Sequence, residues 1–294
     1  MISVVGHTAI DHISRVPDLP KKNGSTSITD RKIYFGGGAA NIAAGIATLG
    51  SACTLVSAVG GDFSGSDYDR EMQRLGIVQQ FFVMPEANTP TAFMFTDQAG
   101  DQITFFEWGA SEAFTRSEAP ALDFVHMATA DPSFNRQVAE KSRFASFDPG
   151  QDLHLYLPED LAAIIGHIDI LFANQHEAAM MAQMLDTTRE EIAARVPLTI
   201  FTCGGEGSSL FIKGEETKIP AVPVTLVDPT GAGDAYRAGF LSAFDRGYDP
   251  LTCCKVGTVT ASFIVEKTGC QTNLPDWERM TVRYSEHFGA LKGA

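Results

Sequence analysis

The chain has 294 residues, 44% of them hydrophobic and 20% charged, which is ordinary for a soluble globular protein and enough for one large α/β domain or two small ones. A net charge of −14 argues against nucleic acid or an anionic membrane as a partner, so any phosphate site must be made positive locally by backbone dipoles, a metal or a few basic side chains. Five cysteines with no C-x-x-C fit a reduced cytoplasm rather than a disulfide framework or a zinc site, no apolar run reaches ~18 residues as a membrane span needs, and residues 1–11 lack the basic start of a signal peptide.

Residues 2–6 read as a short apolar strand, after which Gly6-His7-Thr8-Ala9-Ile10-Asp11 turns outward. Asp11 then lies just past a strand's carboxyl end, where α/β sheets bind ligands and where a cap is equally useful. Residues 12–35 contain Pro17, Pro20 and Asn23-Gly24 and read as loop and edge strand. Gly36-Gly37-Gly38-Ala39-Ala40-Asn41 opens a small-residue helix ended by Gly50. Three glycines before a helix serve as a hinge, a ligand cradle or both. Asn41 offers a donor and an acceptor to a hydroxyl-rich ligand, or to the helix start itself.

Residues 54–59 form a buried strand, 66–75 a polar-faced helix and 79–83 another strand, an alternation that predicts a mostly parallel sheet. Residues 91–96 and 102–106 break the rhythm. They alternate around a turn containing Gly100, as a β-hairpin does, and with 25–35 they predict a small antiparallel sheet standing off the main one. Phe93, Phe95, Phe106 and Trp108 are then either core or, on a lid, the cover of a flat ligand. Strands at 123–128 and 144–148 flank a helix over 134–141, and 161–165 is helical. The strand over 168–173 ends at Asn174-Gln175-His176-Glu177, ahead of a helix over 178–185. Asn174 and Glu177 there suit a hydrated divalent cation, which prefers oxygen ligands, and also suit a helix cap. A strand over 198–202 leads into Thr202-Cys203-Gly204-Gly205-Glu206-Gly207, with 208–212 and 217–219 as its antiparallel continuation.

Asp228-Pro229-Thr230-Gly231-Ala232-Gly233-Asp234 lies between an apolar run (Val222, Val224, Leu226, Val227) and a helical pattern reaching Phe244. It reads as a strand, a glycine turn and a helix start, where unpartnered N–H groups collect anions. Gly231 and Gly233 let backbone approach a ligand. Asp234, in the first turn, either caps the helix or takes a proton from a hydroxyl attacking a phosphoryl group. No Gly-Lys-Ser/Thr follows, and Tyr236 stands where a dinucleotide fingerprint has glycine. Helices over 250–266 and 276–291 complete the chain.

With these motifs in this order, the chain resembles the ribokinase-like (PfkB) family of sugar and nucleoside kinases over nearly its full length. The most specific match is Asp228 to Asp234 with Ala235, Tyr236, Gly239 and Phe240; the glycine signature ending at Asn41, the N-x-x-E of Asn174 and Glu177 and the T-x-G-x-x-G from Thr202 to Gly207 support it. The resemblance implies a three-layer α/β/α fold with a central, mostly parallel sheet. It implies a single kinase domain over 1–294, with a small β-sheet lid built from about 12–35 and 88–109. It also implies ATP- and Mg²⁺-dependent transfer to a primary hydroxyl, with Asp234 as base and the amides of Gly231, Ala232 and Gly233 holding the phosphoryl charge. Asn174 and Glu177 would order Mg²⁺ largely through water. Thr202, Gly204 and Gly207 would line the nucleotide, and Asp11, Gly37 and Asn41 would bind acceptor hydroxyls. Asp228 and Thr230, near Gly269 and Asn273, lie where many members bind a monovalent cation such as K⁺ through carbonyls.

Three departures bear on the ligands. Ribokinase itself has Asn where this chain has Ala9 and Lys where it has Gly38, and Cys270 stands where Ala is common. Phe105-Phe106-Glu107-Trp108-Gly109 looks more like archaeal nucleoside kinases. The expected acceptor is therefore the 5′-hydroxyl of a nucleoside, with a sugar as the alternative. A non-catalytic binding homologue is a third reading, and the presence of both Asp234 and Glu177 argues against it. Exposed lid strands also invite pairing between subunits, which leaves a homodimer through the lid open.

Overall fold

A computed structural model describes residues 1–293. In chain order its elements are β1 (Ile2–Val5), β2 (Ala9–Arg15), β3 (Asp30–Gly36), α1 (Gly38–Thr48), β4 (Cys53–Gly60), α2 (Asp67–Arg74), β5 (Val78–Met84), β6 (Thr91–Thr96) and β7 (Gln102–Glu107). There follow β8 (Val125–Met127), α3 (Pro132–Lys141), β9 (Ala145–Phe147), α4 (Pro158–Ile165), β10 (Ile170–Asn174), α5 (Gln175–Met184), α6 (Arg189–Arg195), β11 (Leu198–Thr202), β12 (Ser208–Ile212) and β13 (Glu215–Ile219). The chain ends with α7 (Ala232–Asp245), α8 (Pro250–Ile264) and α9 (Trp277–Phe288).

The large sheet runs β13-β12-β11-β10-β9-β8-β1-β4-β5 and is parallel from β5 to β11, with only β12 and β13 antiparallel. Its central strands are buried apolar runs because helices cover both faces. Residues of α1, α2, α7, α8 and α9 share one core, and residues of α3 to α6 share the other, giving three layers. From β1 the chain builds outward to β4 and β5, then returns to β8 on the other side. That reversal leaves a crevice outside the carboxyl ends of β1 and β8, the usual ligand position in such sheets.

Glycines set the spacing within the first of these helix layers. A Cβ on Gly45 of α1 would come within 2.5 Å of the Ala238 Cβ of α7. One on Gly239 of α7 would meet the Thr260 side chain of α8 at 2.4 Å, and one on Gly257 of α8 would meet the Tyr236 carbonyl at 2.7 Å. Helix α7 is therefore gripped on two sides at backbone distance.

The small sheet has the order β3-β2-β6-β7. It departs from expectation in two ways. Residues 9–15, read as a turn and the start of a loop, form a strand of the sheet, because Asp11, His12 and Ser14 obscure its alternation. The sheet is also mixed rather than antiparallel: β2 and β6 both run outward from the parallel array and pair in parallel, Ile10 opposite Thr91. The apolar run 222–227 is not a strand. Pro220 and Pro223 lack the donors a ladder needs, and the Val227 and Asp228 amides donate instead to the Val265 carbonyl at 2.8 and 3.2 Å. Helix α6, unforeseen, starts at a capping box made by Thr188 and Glu191.

Candidate active site

One cavity of about 920 Å³ opens between the carboxyl ends of the large sheet, the inner face of the small sheet and the start of α7. Pockets for one small ligand run to roughly 300–1,000 Å³, so this one lies near the upper end of that range. Asp11, Gly37 and Asn41 line it on the side of the small sheet; Asn174, Glu177, Thr202, Gly204 and Gly207 line the opposite side. Thr230, Gly231, Ala232, Gly233 and Asp234 lie between them. Asp228 does not line the cavity; its carboxylate caps the turn by accepting from the Thr230 amide at 2.9 Å.

The start of α7 explains why the middle is suited to an anion. Gly231, at φ 80°, is left-handed, and a Cβ there would press on Cys270 at 2.8 Å. This turn directs the Ala232 N–H to the Pro229 carbonyl at 3.2 Å and closes the first helical bond, Ala235 to Gly231, at 2.9 Å. The amides of Gly233 and Asp234 have no backbone acceptor among the described residues. Free donors thus project at the positive end of a 14-residue helix. Of the expected set, the Ala232 N–H is spent on the turn, while the Gly231 and Gly233 amides have no backbone acceptor among the described residues.

Asp234 sits deep in the cavity, with part of its surface still meeting solvent. Asn41 Nδ2 donates to its Oδ2 at 2.9 Å. Asn41 is held in turn by Gln271, whose Nε2 donates to Asn41 Oδ1 at 2.9 Å and to the Tyr68 hydroxyl at 2.8 Å. The Tyr68 hydroxyl donates to the Gly36 carbonyl at 2.8 Å. Asn41 is thus committed to orienting Asp234 and keeps one N–H for a ligand. Burial raises the Asp234 carboxyl above the ordinary range; Arg237 and the Asn41 hydrogen bond oppose that rise, and Glu177 adds to it. A carboxylate of raised basicity is a better proton acceptor near neutral pH.

Asp11, on β2, is 5% exposed, and burial, with the Asp234 charge adding, pushes its carboxyl up to about 7. A Cβ on Gly36 would lie 2.1 Å from its Oδ2, so the glycine signature makes room for this carboxyl. A Cβ on Gly37, at φ 90°, would lie 2.5 to 2.8 Å from the backbone of residues 7–9. A Cβ on Gly38 would point toward Thr129 Oγ1 at 3.0 Å and Asp234 Oδ1 at 3.9 Å. A long side chain at that position would therefore enter the site.

Asn174 and Glu177 form a complete capping box. Asn174 Oδ1 accepts from the amides of His176 and Glu177 at 2.8 and 2.9 Å, and Glu177 Oε2 accepts from the Asn174 amide at 2.7 Å. The cap and the cation readings are compatible at Glu177, whose second carboxylate oxygen is not used by the box. Among the described residues no three His, Cys, Asp or Glu side chains cluster as direct ligands. Gly204 has open space beside it, as a nucleotide-facing position requires, whereas a Cβ on Gly207 would meet the Ile219 carbonyl at 2.0 Å. Asn273 turns its amide to the Phe263 carbonyl at 2.5 Å.

Several lining residues were not foreseen: His7, Asp148, Gln151 and Arg237. Gln271, which holds Asn41 from behind, was also missed. Asp148 follows β9 just as Asp11 was expected to follow β1, so strand-end position was the available signal. Of the four aromatics considered for the lid, only Phe106 lines the cavity. Trp108 packs edge-on against His7, and Phe93 and Phe95 belong to the other face of the small sheet.

A family model described as "pfkB family carbohydrate kinase" matches residues 1–277. The chain is 43% identical to a nucleoside kinase of Methanocaldococcus jannaschii over 97% of both chains. It is 41% identical to one of Methanothermobacter thermautotrophicus over 97% of this chain and 96% of that one. The solved Methanocaldococcus jannaschii structure superposes with a TM-score of 0.93 over 97% of this chain and 98% of that one. A Burkholderia thailandensis nucleoside kinase in complex with inosine superposes with a TM-score of 0.90 at 27% identity, over 100% of this chain and 99% of that one.

Proposed function

The chain belongs to the pfkB family of carbohydrate kinases, and from that premise we propose that it is an ATP-dependent nucleoside kinase that phosphorylates the 5′-hydroxyl. The observation that carries the reading is the meeting, in one cavity, of a carboxylate fixed by Asn41 with free amides at a helix start. The acceptor hydroxyl gives its proton to Asp234 as it attacks the terminal phosphorus of the donor. The Gly233 and Asp234 amides, with Gly231 shaping their turn, hold the charge on the transferred group. Asp11 and the remaining Asn41 N–H bind sugar hydroxyls beside Gly37. Thr202, Gly204 and Gly207 receive the nucleotide. When bound, Mg²⁺ neutralises charge on the donor phosphates, and Asn174 and Glu177 would order it through water. Carbonyls of the turn at Asp228 and Thr230 are the place for K⁺ if the enzyme uses it.

A nucleoside is favoured over a free sugar by the inner face of the small sheet. It presents Ala92, Met94, Thr104 and Phe106 over the acceptor side, an apolar cover for a flat base. The whole chain acts as one kinase domain with this sheet as its lid, in the reducing cytoplasm that five free cysteines suit. The lid's outer face carries a cross-strand row of Ile33, His12, Phe93 and Phe105 and pairs with a second copy of the chain. The test is nucleotide-dependent phosphorylation of a panel of nucleosides and free sugars. Inosine or another nucleoside should be turned over with a higher kcat/KM than ribose or fructose. A sugar preferred over every nucleoside would overturn the acceptor assignment, and no phosphorylation of any alcohol would overturn the kinase.

A further inference from the structure

Among the described residues, four carboxylates line the cavity, those of Asp11, Asp148, Glu177 and Asp234, and Arg237 is the one Arg or Lys side chain that joins them. Arg237 stands three residues after Asp234 on α7, on the same side of the helix, and is 6% exposed. Its Nε lies 2.6 Å from Asp148 Oδ2. Among the described residues Nε lacks a partner of hydrogen-bond geometry, so charge and close contact hold the pair. Its Nη1 lies against the anion-collecting turn, since a Cβ on Gly233 would come within 2.4 Å of it. The charged and titratable groups around it are Asp148 after β9, Glu177 on α5, Asp234 on its own helix and His126 on β8. Burial works against the guanidinium charge, and Asp148, Glu177 and Asp234 more than offset it.

A buried ion pair is weak evidence for stability, because desolvation cancels most of its attraction. This one occupies the place where a polyphosphate must enter a chain of net charge −14. We propose that Arg237 is a further catalytic residue, whose guanidinium contacts the oxygens of the phosphoryl group in transfer, and that Asp148 is the positioning residue that keeps it beside Gly233. In that step the acceptor oxygen forms its bond to phosphorus while the bond from phosphorus to the bridging oxygen breaks. The hydroxyl proton goes to the Asp234 carboxylate, and the diphosphate leaves with the electron pair of the broken bond. Charge on the equatorial oxygens is then shared between the Gly233 and Asp234 amides and Arg237. Arg is suited to this because its planar fork meets two oxygens at once and it does not deprotonate.

The proposal rests on the kinase reading, and the two fail separately: wild-type turnover tests that reading, and the ratio of variant to wild type tests Arg237. Arg237→Met and Arg237→Lys are assayed with ATP and the nucleoside that the wild type phosphorylates fastest. Removing one such contact should lower kcat by about 100-fold or more in Arg237→Met, with the nucleoside KM within about threefold of wild type. Lys should restore only part of the loss. ADP should bind both variants as it binds wild type, and aluminium fluoride with nucleoside should tighten ADP binding in wild type alone. A kcat loss below about fivefold, a loss confined to the nucleoside KM, or unchanged tightening by aluminium fluoride would overturn the proposal. Should Arg237→Met not fold by circular dichroism, the same measurements on Arg237→Lys, which keeps the charge beside Asp148, decide it. Asp148→Asn should lower kcat in the wild-type background and add nothing in the Arg237-substituted one. Additive losses would overturn the positioning role.

Discussion

Asp234 is pulled two ways, raised by burial and restrained by Arg237 and Asn41. It must be ionised to accept a proton, so activity should fall as pH drops, along a limb above the ordinary aspartate value of about 3.9. Removing the Asn41 donor raises that carboxyl further. Asn41→Ala should therefore shift the acid limb of kcat/KM to higher pH, and Asp234→Asn should lower kcat by roughly 10²–10⁴ across the range while nucleoside still binds. A pH–rate profile with calorimetric binding checks both. Asp11 gives the opposite kind of signal. Its folded value, about 7, exceeds its unfolded value, so its favourable contribution is complete below about pH 4 and is lost as pH rises through about 7. Asp11→Asn should stabilise the unliganded protein at pH 8 by on the order of 2 kcal/mol while weakening acceptor binding. Denaturant melts at pH 5 and pH 8 report the difference. Residues such as Asp11, Asn41 and Asp234 were legible because each stands in a glycine-marked motif whose backbone shape dictates what lies beside it. Arg237 and Gln271 were not, and Asp148 had only its place at a strand end to mark it. Arg237 and Gln271 look like ordinary polar residues until folding brings separate segments of the chain together.

The turn at Gly37 shows how much an element boundary carries. It opens α1 at φ 90°, and a Cβ there would lie 2.5 Å from the His7 carbonyl and 2.6 Å from the Ala9 amide. Gly37→Ala must force β1, β2 and α1 apart, so it should destabilise by about 2 kcal/mol or more and raise the acceptor KM more than the ATP KM. Thermal melts and paired kinetics measure both. The parallel array was readable at this scale because β4, β10 and β11 are uninterrupted apolar runs between turn residues. The small sheet was only partly readable. Strand β2 faces the cavity with Asp11 and carries polar residues on both faces, so a central strand looks like loop. The run 222–227 misled in the other direction: its β-branched residues flank prolines, and Leu226 and Val227 are exposed.

For the whole molecule, the outer face of the small sheet is the conspicuous apolar surface, with Ile33 58% and Phe105 61% exposed. Light scattering should find a dimer, and Phe105→Asp should yield a monomer; a wild-type monomer at micromolar concentration would remove the pairing. Net charge and composition say nothing of acceptor chemistry. That chemistry depends on how the small sheet leans over the crevice where strand order reverses, a matter of tertiary geometry.

The close glycine contacts of α7 with α1 and α8 divide the labour between the two halves of the enzyme. A helix clasped at backbone distance on both flanks has little room to shift, so on the proposed reading its start is set before any alcohol arrives. Selectivity is then modular. Grafting the inward-facing positions of residues 9–15 and 91–107 from a relative of different taste should exchange the preferred alcohol while leaving the turnover apparatus intact.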